Sequence, residues 1–178
     1  MSKFTSIIKR HEWIRLLILA VVLISASNLA WFGLRVALNA EHPILVVVSG
    51  SMVPTLNAGD IIAVHGSQPE GIMVGTIIVF HSPRDYDTLI VHRVIEKVDY
   101  NEGIGFKTKG DFNLFADTWI VPSDYVIGTY IGRVPYIGLV VMKLKEPAGM
   151  GFIIFIIAVL LIIELMESRR KRSISSSN

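Results

Sequence analysis

Leu89-Ile90-Val91-His92-Arg93-Val94-Ile95-Glu96-Lys97 decides how the middle of this chain folds. Its β-branched residues follow no helical spacing. Drawn out as a strand, the segment puts Ile90, His92 and Val94 on one face and Val91, Arg93 and Ile95 on the other. Comparable runs lie on either side: Ile44–Val48, Ile61–Val64, Thr76–Phe80, Gly105–Thr108 and Tyr125–Val134. Gly59-Asp60, Gly66-Ser67, Pro83-Arg84-Asp85, Asn101-Glu102-Gly103 and Gly110-Asp111 separate them as turn signals. Residues 36–146 therefore read as a mainly β domain, able to bury one core in a curled sheet or small barrel. No internal repeat is present.

Outward from that domain the pattern changes. Leu16–Leu34 is an uninterrupted uncharged stretch, and its 19 residues make a helix of about 28 Å, close to a bilayer's hydrocarbon thickness. Trp13 and Trp31 lie near its ends, where indole rings favour the membrane interface. Ser25 and Ser27 offer a small-x-small cleavage pattern, but the apolar run continues through Leu29–Leu34, which a removed leader does not need. A retained span over 16–35 is expected. A second charge-free stretch, Pro147–Ile163, is apolar around its whole circumference. Glu164 snorkelling would extend it through Leu165 and Met166, and Arg169–Arg172 follow as a stop-transfer signal. A second span over 147–166 is expected.

Composition agrees. The chain has 178 residues, 52% hydrophobic and 18% charged, with mean hydropathy +0.55; soluble domains carry about 25% charge. The formal net charge of +2 is unevenly spread. Lys3, Lys9, Arg10 and Arg15 outweigh Glu12 in residues 1–15, and Arg169, Arg170, Lys171 and Arg172 outweigh Glu164 and Glu167 in the tail. The middle is slightly acidic, which excludes a nucleic-acid-binding face. Basic flanks stay cytoplasmic, so residues 1–15 and 167–178 share that side and 36–146 face the other. The polar end Ser173–Asn178 reads as disordered. With no cysteine and no HExxH spacing, thiol nucleophiles and cysteine or helix-borne zinc sites are out, and no metal or cofactor is expected.

The chemistry-bearing residues are ambiguous one by one. In Ser49-Gly50-Ser51-Met52-Val53-Pro54, Gly50 permits a bend and Pro54 stiffens the exit, presenting Ser51 on a corner; a polar turn reads the same way. There is no G-x-S-x-G elbow. His92 is a core histidine or a general base suited to neutral pH. His42, His65 and His81 fall near strand ends or loops, and His11 lies on the cytoplasmic side. Asp111 and Asp117 are turn or cap residues, or either one accepts the Nδ1–H of the base.

Taken together, Ser51-Met52 with Pro54 and Gly59-Asp60, then Val91-His92-Arg93-Val94, then Lys109-Gly110-Asp111-x-Asn113 with Asp117, resemble the type I signal peptidases. The likeness covers about residues 36–140, including Val134-Pro135-Tyr136-Ile137-Gly138. The bacterial branch has a lysine base before the arginine; His92-Arg93 resembles the archaeal and endoplasmic-reticulum branch. Val53 stands where an acidic residue is common, and Phe112 where Asn or Glu is frequent.

The resemblance implies a signal-peptidase-like β domain between an N-terminal and a C-terminal transmembrane helix. It implies a membrane-bound serine endopeptidase that removes signal peptides after small residues. Ser51 would be the nucleophile, His92 the base, and Asp117 the triad acid, with Asp111 supporting; the two aspartates can exchange roles. Ser49 matches the position whose hydroxyl joins the Ser51 backbone N–H in the oxyanion hole of bacterial relatives. Implied partners are signal-peptide-bearing preproteins, the lipid bilayer, and the translocation machinery or accessory subunits. The implied place is the cell membrane, multi-pass, with an extracytoplasmic site (lumenal in a eukaryotic endoplasmic reticulum). Rival readings are a dedicated maturation protease for a few surface proteins and a non-catalytic membrane-tethered β scaffold; two spans exclude a soluble self-cleaving repressor.

Overall fold

A computed structural model describes the backbone of residues 2–101 and 103–175, and the side chains of 14, 17–101, 103–160, 162 and 163. The chain opens with helix α1 (Ser2–Ala37), whose apolar stretch Leu17–Ala37 touches little of the rest of the protein. Its 21 residues measure about 32 Å, long enough to cross a bilayer. Asn39, at φ 46°, stops the helix in the left-handed conformation that ends many helices. The N–H of Gly66 then bonds the carbonyl of Leu38, tying the helix end to the β domain.

Seven strands come next: β1 (Ile44–Val46), β2 (Ile61–His65), β3 (Ile77–Ser82), β4 (Asp85–Tyr100), β5 (Gly103–Lys109), β6 (Ile120–Pro122) and β7 (Val126–Val134). They form one sheet in the order β1-β2-β7-β3-β4-β5-β6, every pair antiparallel. β1 and β6 are its edges, and among the described residues no pairing closes them into a barrel. Central β3 is covered on both faces. Ile77 and Val79 pack with Met52, Leu56, Ile62 and Val64 on one side. Ile78 and Phe80 pack with Ile72, Val94, Phe106 and Val121 on the other. A single sheet can cover both of its faces in this way only by curling and by folding its loops over itself.

All six expected strands are present, with shifted ends. The largest shift is in β4, which runs well beyond Leu89–Lys97 because the Pro83-Arg84 hairpin carries pairing outward. β6 was not expected: three residues at an edge leave too short a pattern to read. Two further differences concern the C-terminal part. Ile137–Lys145, expected inside the β domain, is helix α2, with Gly138 set against Gly59 and Val46. Its apolar residues Ile137, Val140, Val141 and Leu144 do recur at helical spacing, but over only about two turns. α3 then runs Pro147–Ser175. Ser173–Ser175, expected as disordered tail, belong to this helix, and residues 176–178 lie outside the described ones. The α3 apolar stretch among the described residues is Pro147–Leu160, shorter than a span needs; α1 is the one helix there that is long and apolar enough to cross. Trp13, Glu164 and the flanking basic side chains fall outside the described side chains, while Trp31 is half exposed.

Candidate active site

The turn that carries Ser51 is anchored by the burial of Met52 and Leu56 on its C-terminal side. Just past β1, the N–H of Val47 bonds the carbonyl of Asp60. Ser49, Gly50 and Ser51 then leave the sheet, and Met52 and Leu56 drop into the first core cluster, closed by Leu56 N–H on the Met52 carbonyl. The Val53–Pro54 peptide bond in this turn is cis. Ser51 is thus held by its buried neighbours while it stays partly accessible itself. Ser49 Oγ lies 3.3 Å from Ser51 Oγ.

Behind the turn, Asp60 is completely buried. Burial would push its pKa up, but the N–H of Asn57, the guanidinium of Arg133 and the N–H of Tyr136 outweigh this and hold it below the usual carboxylate range. Gly59 packs against the Leu139 side chain of α2, and its φ of 91° is a left-handed conformation that favours glycine. The far end of the Ser51 loop is therefore braced against the helix that leads to α3.

His92 comes from the middle of β4, opposite Ile78 of β3. It shares a face with Ile90 and Val94, as alternation requires, and meets Phe80 edge to face. The chain between β5 and β6 makes a closed excursion. It leaves at Lys109 and returns where Asp117 N–H bonds the carbonyl of Thr108, 2.9 Å away. That closure sets the Asp117 carboxylate 2.7 Å from His92 Nδ1. On the other side of the ring, Nε2 is 3.2 Å from Ser51 Oγ. The side chains of His92 and Asp117 are only 8% and 7% exposed, so the ring is fixed by its surroundings. A carboxylate can only accept, so Nδ1 carries the proton and the Nε2 lone pair takes the Ser51 hydroxyl.

Asp111 has different company. Arg93 Nε and Nη2 clamp its two oxygens at 2.8 and 2.6 Å, and the Thr55 hydroxyl donates to it at 2.5 Å. Arg93's hydrogen bonds, helped by Thr55 and by the charge of Arg93, hold Asp111 below the usual carboxylate range against an opposing push from burial. The same pairing raises Arg93. Arg93 also bonds the Gly75 carbonyl, so this pair joins the β2–β3 connection, β4, the Ser51 turn and the 110–117 excursion. Phe112 N–H bonds the Ser51 carbonyl, and a Cβ on Gly110 would sit 2.6 Å from that same oxygen. Only glycine lets the excursion lie this close to the Ser51 turn.

Ser51, His92 and Asp117 are thus brought into one line, with Ser49 beside Ser51 and Asp111 one layer away on the arginine. His81 stacks on Tyr86, and the carbonyl of His65 accepts from Ser67 and Thr129; neither histidine joins the cluster. Sequence alone does not single out Thr108, which also bonds Asp117, nor Thr55, Arg93 and Arg133 as ion-pair or hydrogen-bond partners. For Thr108 the available signal is the adjoining Lys109-Gly110-Asp111 box. Beside Asp117 an open hollow of about 390 Å³ is lined by Arg84, Asn113, Leu114, Phe115 and Trp119. Among the described residues no three His, Asp or Glu side chains are gathered to share a metal ion.

A hydroxyl, a ring and a carboxylate in this order are the parts of an acyl-transfer site. A family profile described as signal peptidase, peptidase S26, matches residues 10–102, a stretch containing Ser51 and His92 and ending before Asp111. The catalytic subunit SEC11C of the human signal peptidase complex is 35% identical over 147 residues, covering 78% of this chain and 75% of its own. The chain belongs to the S26 signal peptidase family. The dog SEC11C subunit matches equally well, and the sec11 subunit of the fungus Sclerotinia sclerotiorum is 34% identical over 133 residues, 70% of this chain and 77% of its own. The resemblance read from the four boxes is borne out, including its archaeal and endoplasmic-reticulum branch.

Proposed function

We propose that this S26 peptidase removes N-terminal signal peptides from exported proteins as a serine endopeptidase, with Ser51 as nucleophile, His92 as base and Asp117 as supporting acid. The observation that carries the reading is the buried Asp117–His92 bond pointing Nε2 at the Ser51 hydroxyl. Ser51 Oγ attacks the carbonyl carbon of the last signal-peptide residue as Nε2 takes its proton. The imidazolium is stabilised by Asp117, and the oxyanion by the Ser51 backbone N–H with the Ser49 hydroxyl; each such donor contributes about 3–4 kcal/mol. His92 then protonates the departing amine, which becomes the mature N-terminus. Water, deprotonated by the same ring, releases the acyl group. The Arg93–Asp111 pair supports the loop that carries Asp117, without touching the proton path.

Substrate lies extended along the outer edge of β1, where main-chain bonds supply affinity and small residues fit before the cut, as the family resemblance implies. α1 crosses the membrane. α3 crosses back, using residues past Leu160, so that both basic ends are cytoplasmic and residues 36–146 lie outside, or in the lumen. The excursion beside the site exposes Phe112, Leu114 and Phe115 at 71%, 86% and 82%. A cluster this apolar supports contact with lipid or with the substrate's apolar segment. Accessory subunits are a further proposed partner, since the SEC11 relatives are named as subunits of a complex.

The deciding experiment incubates the full-length protein in proteoliposomes with a signal-bearing precursor. Ser51→Ala and His92→Ala should each stop cleavage while the protein stays inserted and folded. Full cleavage by folded Ser51→Ala would overturn the assignment. His92→Lys separates the branches: activity retained with lysine would show that the base need not be an imidazole.

A further inference from the structure

Thr108 is fully buried near the end of β5, opposite Val94, beside the second core cluster. Valine would suit such a strand position, since it keeps the shape and buries no hydroxyl. The hydroxyl has one use in the structure: it donates to Asp117 Oδ2 at 2.6 Å. That oxygen is the one facing His92 Nδ1. The Thr108 carbonyl also receives the Asp117 backbone N–H. One residue thus grips Asp117 at both its main chain and its carboxylate.

This matters because the terminal torsion of aspartate is soft, a broad twofold well. Held only by its backbone, the carboxylate could turn and aim between its oxygens, and a hydrogen bond weakens steeply as it bends. We propose that Thr108 is a positioning residue of the proteolytic site, its hydroxyl locking Oδ2 of Asp117 in line with Nδ1 of His92. The inference rests on the reading of Ser51, His92 and Asp117 given above. Thr108 touches no reacting atom; it acts through Asp117. Because Oδ2 then has two donors converging on it, it stays aligned as the imidazolium forms, and the effect falls on turnover rather than on substrate binding.

Two substitutions separate hydroxyl from packing. Thr108→Val keeps the volume and removes the donor; Thr108→Ser keeps the donor and removes a methyl. With the full-length protein in proteoliposomes, Thr108→Val should lower kcat by about tenfold to a hundredfold, the range for a lost hydrogen bond to a charged group, with KM unchanged. Thr108→Ser should stay within about threefold of the wild-type kcat while unfolding at a lower temperature, since its missing methyl leaves a void. Wild-type kcat in Thr108→Val, a change confined to KM, or an equal loss in Thr108→Ser would each overturn the proposal. Asp117→Ala is the control. If it turns over at the wild-type rate, the catalytic reading itself falls; if it is inactive while Thr108→Val is fully active, only the role of Thr108 falls.

Discussion

Asp117 and Asp111 sit six residues apart, yet replacing each with asparagine should have sharply unequal effects. Oδ2 of Asp117 accepts two donors at once, His92 Nδ1–H at 2.7 Å and the Thr108 hydroxyl at 2.6 Å. An amide has a single oxygen. If its NH2 faces the ring, the imidazole must move its proton to Nε2, and the base then points a hydrogen at Ser51. Loss of the correct tautomer and of the charge that stabilises the imidazolium costs about 10⁴-fold in kcat in a serine-protease triad, or about 5.5 kcal/mol of barrier. For Asp111→Asn the structure predicts far less. Its partner Arg93 is 33% exposed and Asp111 itself 16%, so solvent screens the pair, and one oxygen remains to accept from Arg93 or Thr55. We expect about a tenfold loss, expressed through a looser excursion, since one weakened hydrogen bond to a charged group is at stake. The assay is kcat at saturating precursor for both variants at neutral pH, with thermal unfolding to confirm that each is folded. Equal losses, or a larger one in Asp111→Asn, would refute the assignment of Asp117 as the aspartate that serves the imidazole.

The same geometry makes three other predictions. Asp60→Ala leaves Arg133 without its carboxylate and frees the N–H groups of Asn57 and Tyr136, so it should cost about 3 kcal/mol of stability, the lower end for a broken buried pair because Arg133 reaches solvent; an unchanged melting temperature would contradict the brace. Asp60 and Asp111 both have folded-state pKa values below the ordinary 3.8, so their stabilisation is fully present above about pH 4 and is lost as pH falls through the folded values. Melting temperature should drop below about pH 4, less steeply in an Asp60→Asn, Asp111→Asn double variant; an equally steep drop would show that other groups dominate. Leu114→Ser with Phe115→Ser should lower cleavage in proteoliposomes several-fold while sparing cleavage of a soluble peptide in detergent, and equal effects in both would argue against lipid contact at the excursion.

Much of this protein is local enough to read along the chain. A strand declares itself by alternation over a few residues, so the run around His92 and the comparable runs beside it were legible, as was the long apolar helix α1 by its length without charge. Elements that depend on distant neighbours were not. α2 is only about two turns long, and it is held by Gly138 lying against Gly59 and Val46, far earlier in the chain. The ends of β4 come from pairing across a hairpin, and β6 exists because β5 offers it an edge.

For the site, the residue types and their order already pointed to a hydroxyl, an imidazole and a carboxylate, because such boxes are short and contiguous. The choice between the aspartates could not be made there: both follow one glycine-containing turn, and both suit the role chemically. Distance distinguishes them: the backbone closure at Thr108 turns Asp117 inward to the ring while Arg93, on the opposite face of β4, draws Asp111 away. One-dimensional spacing carries the chemistry available; only the packed sheet says which groups are within reach of a proton.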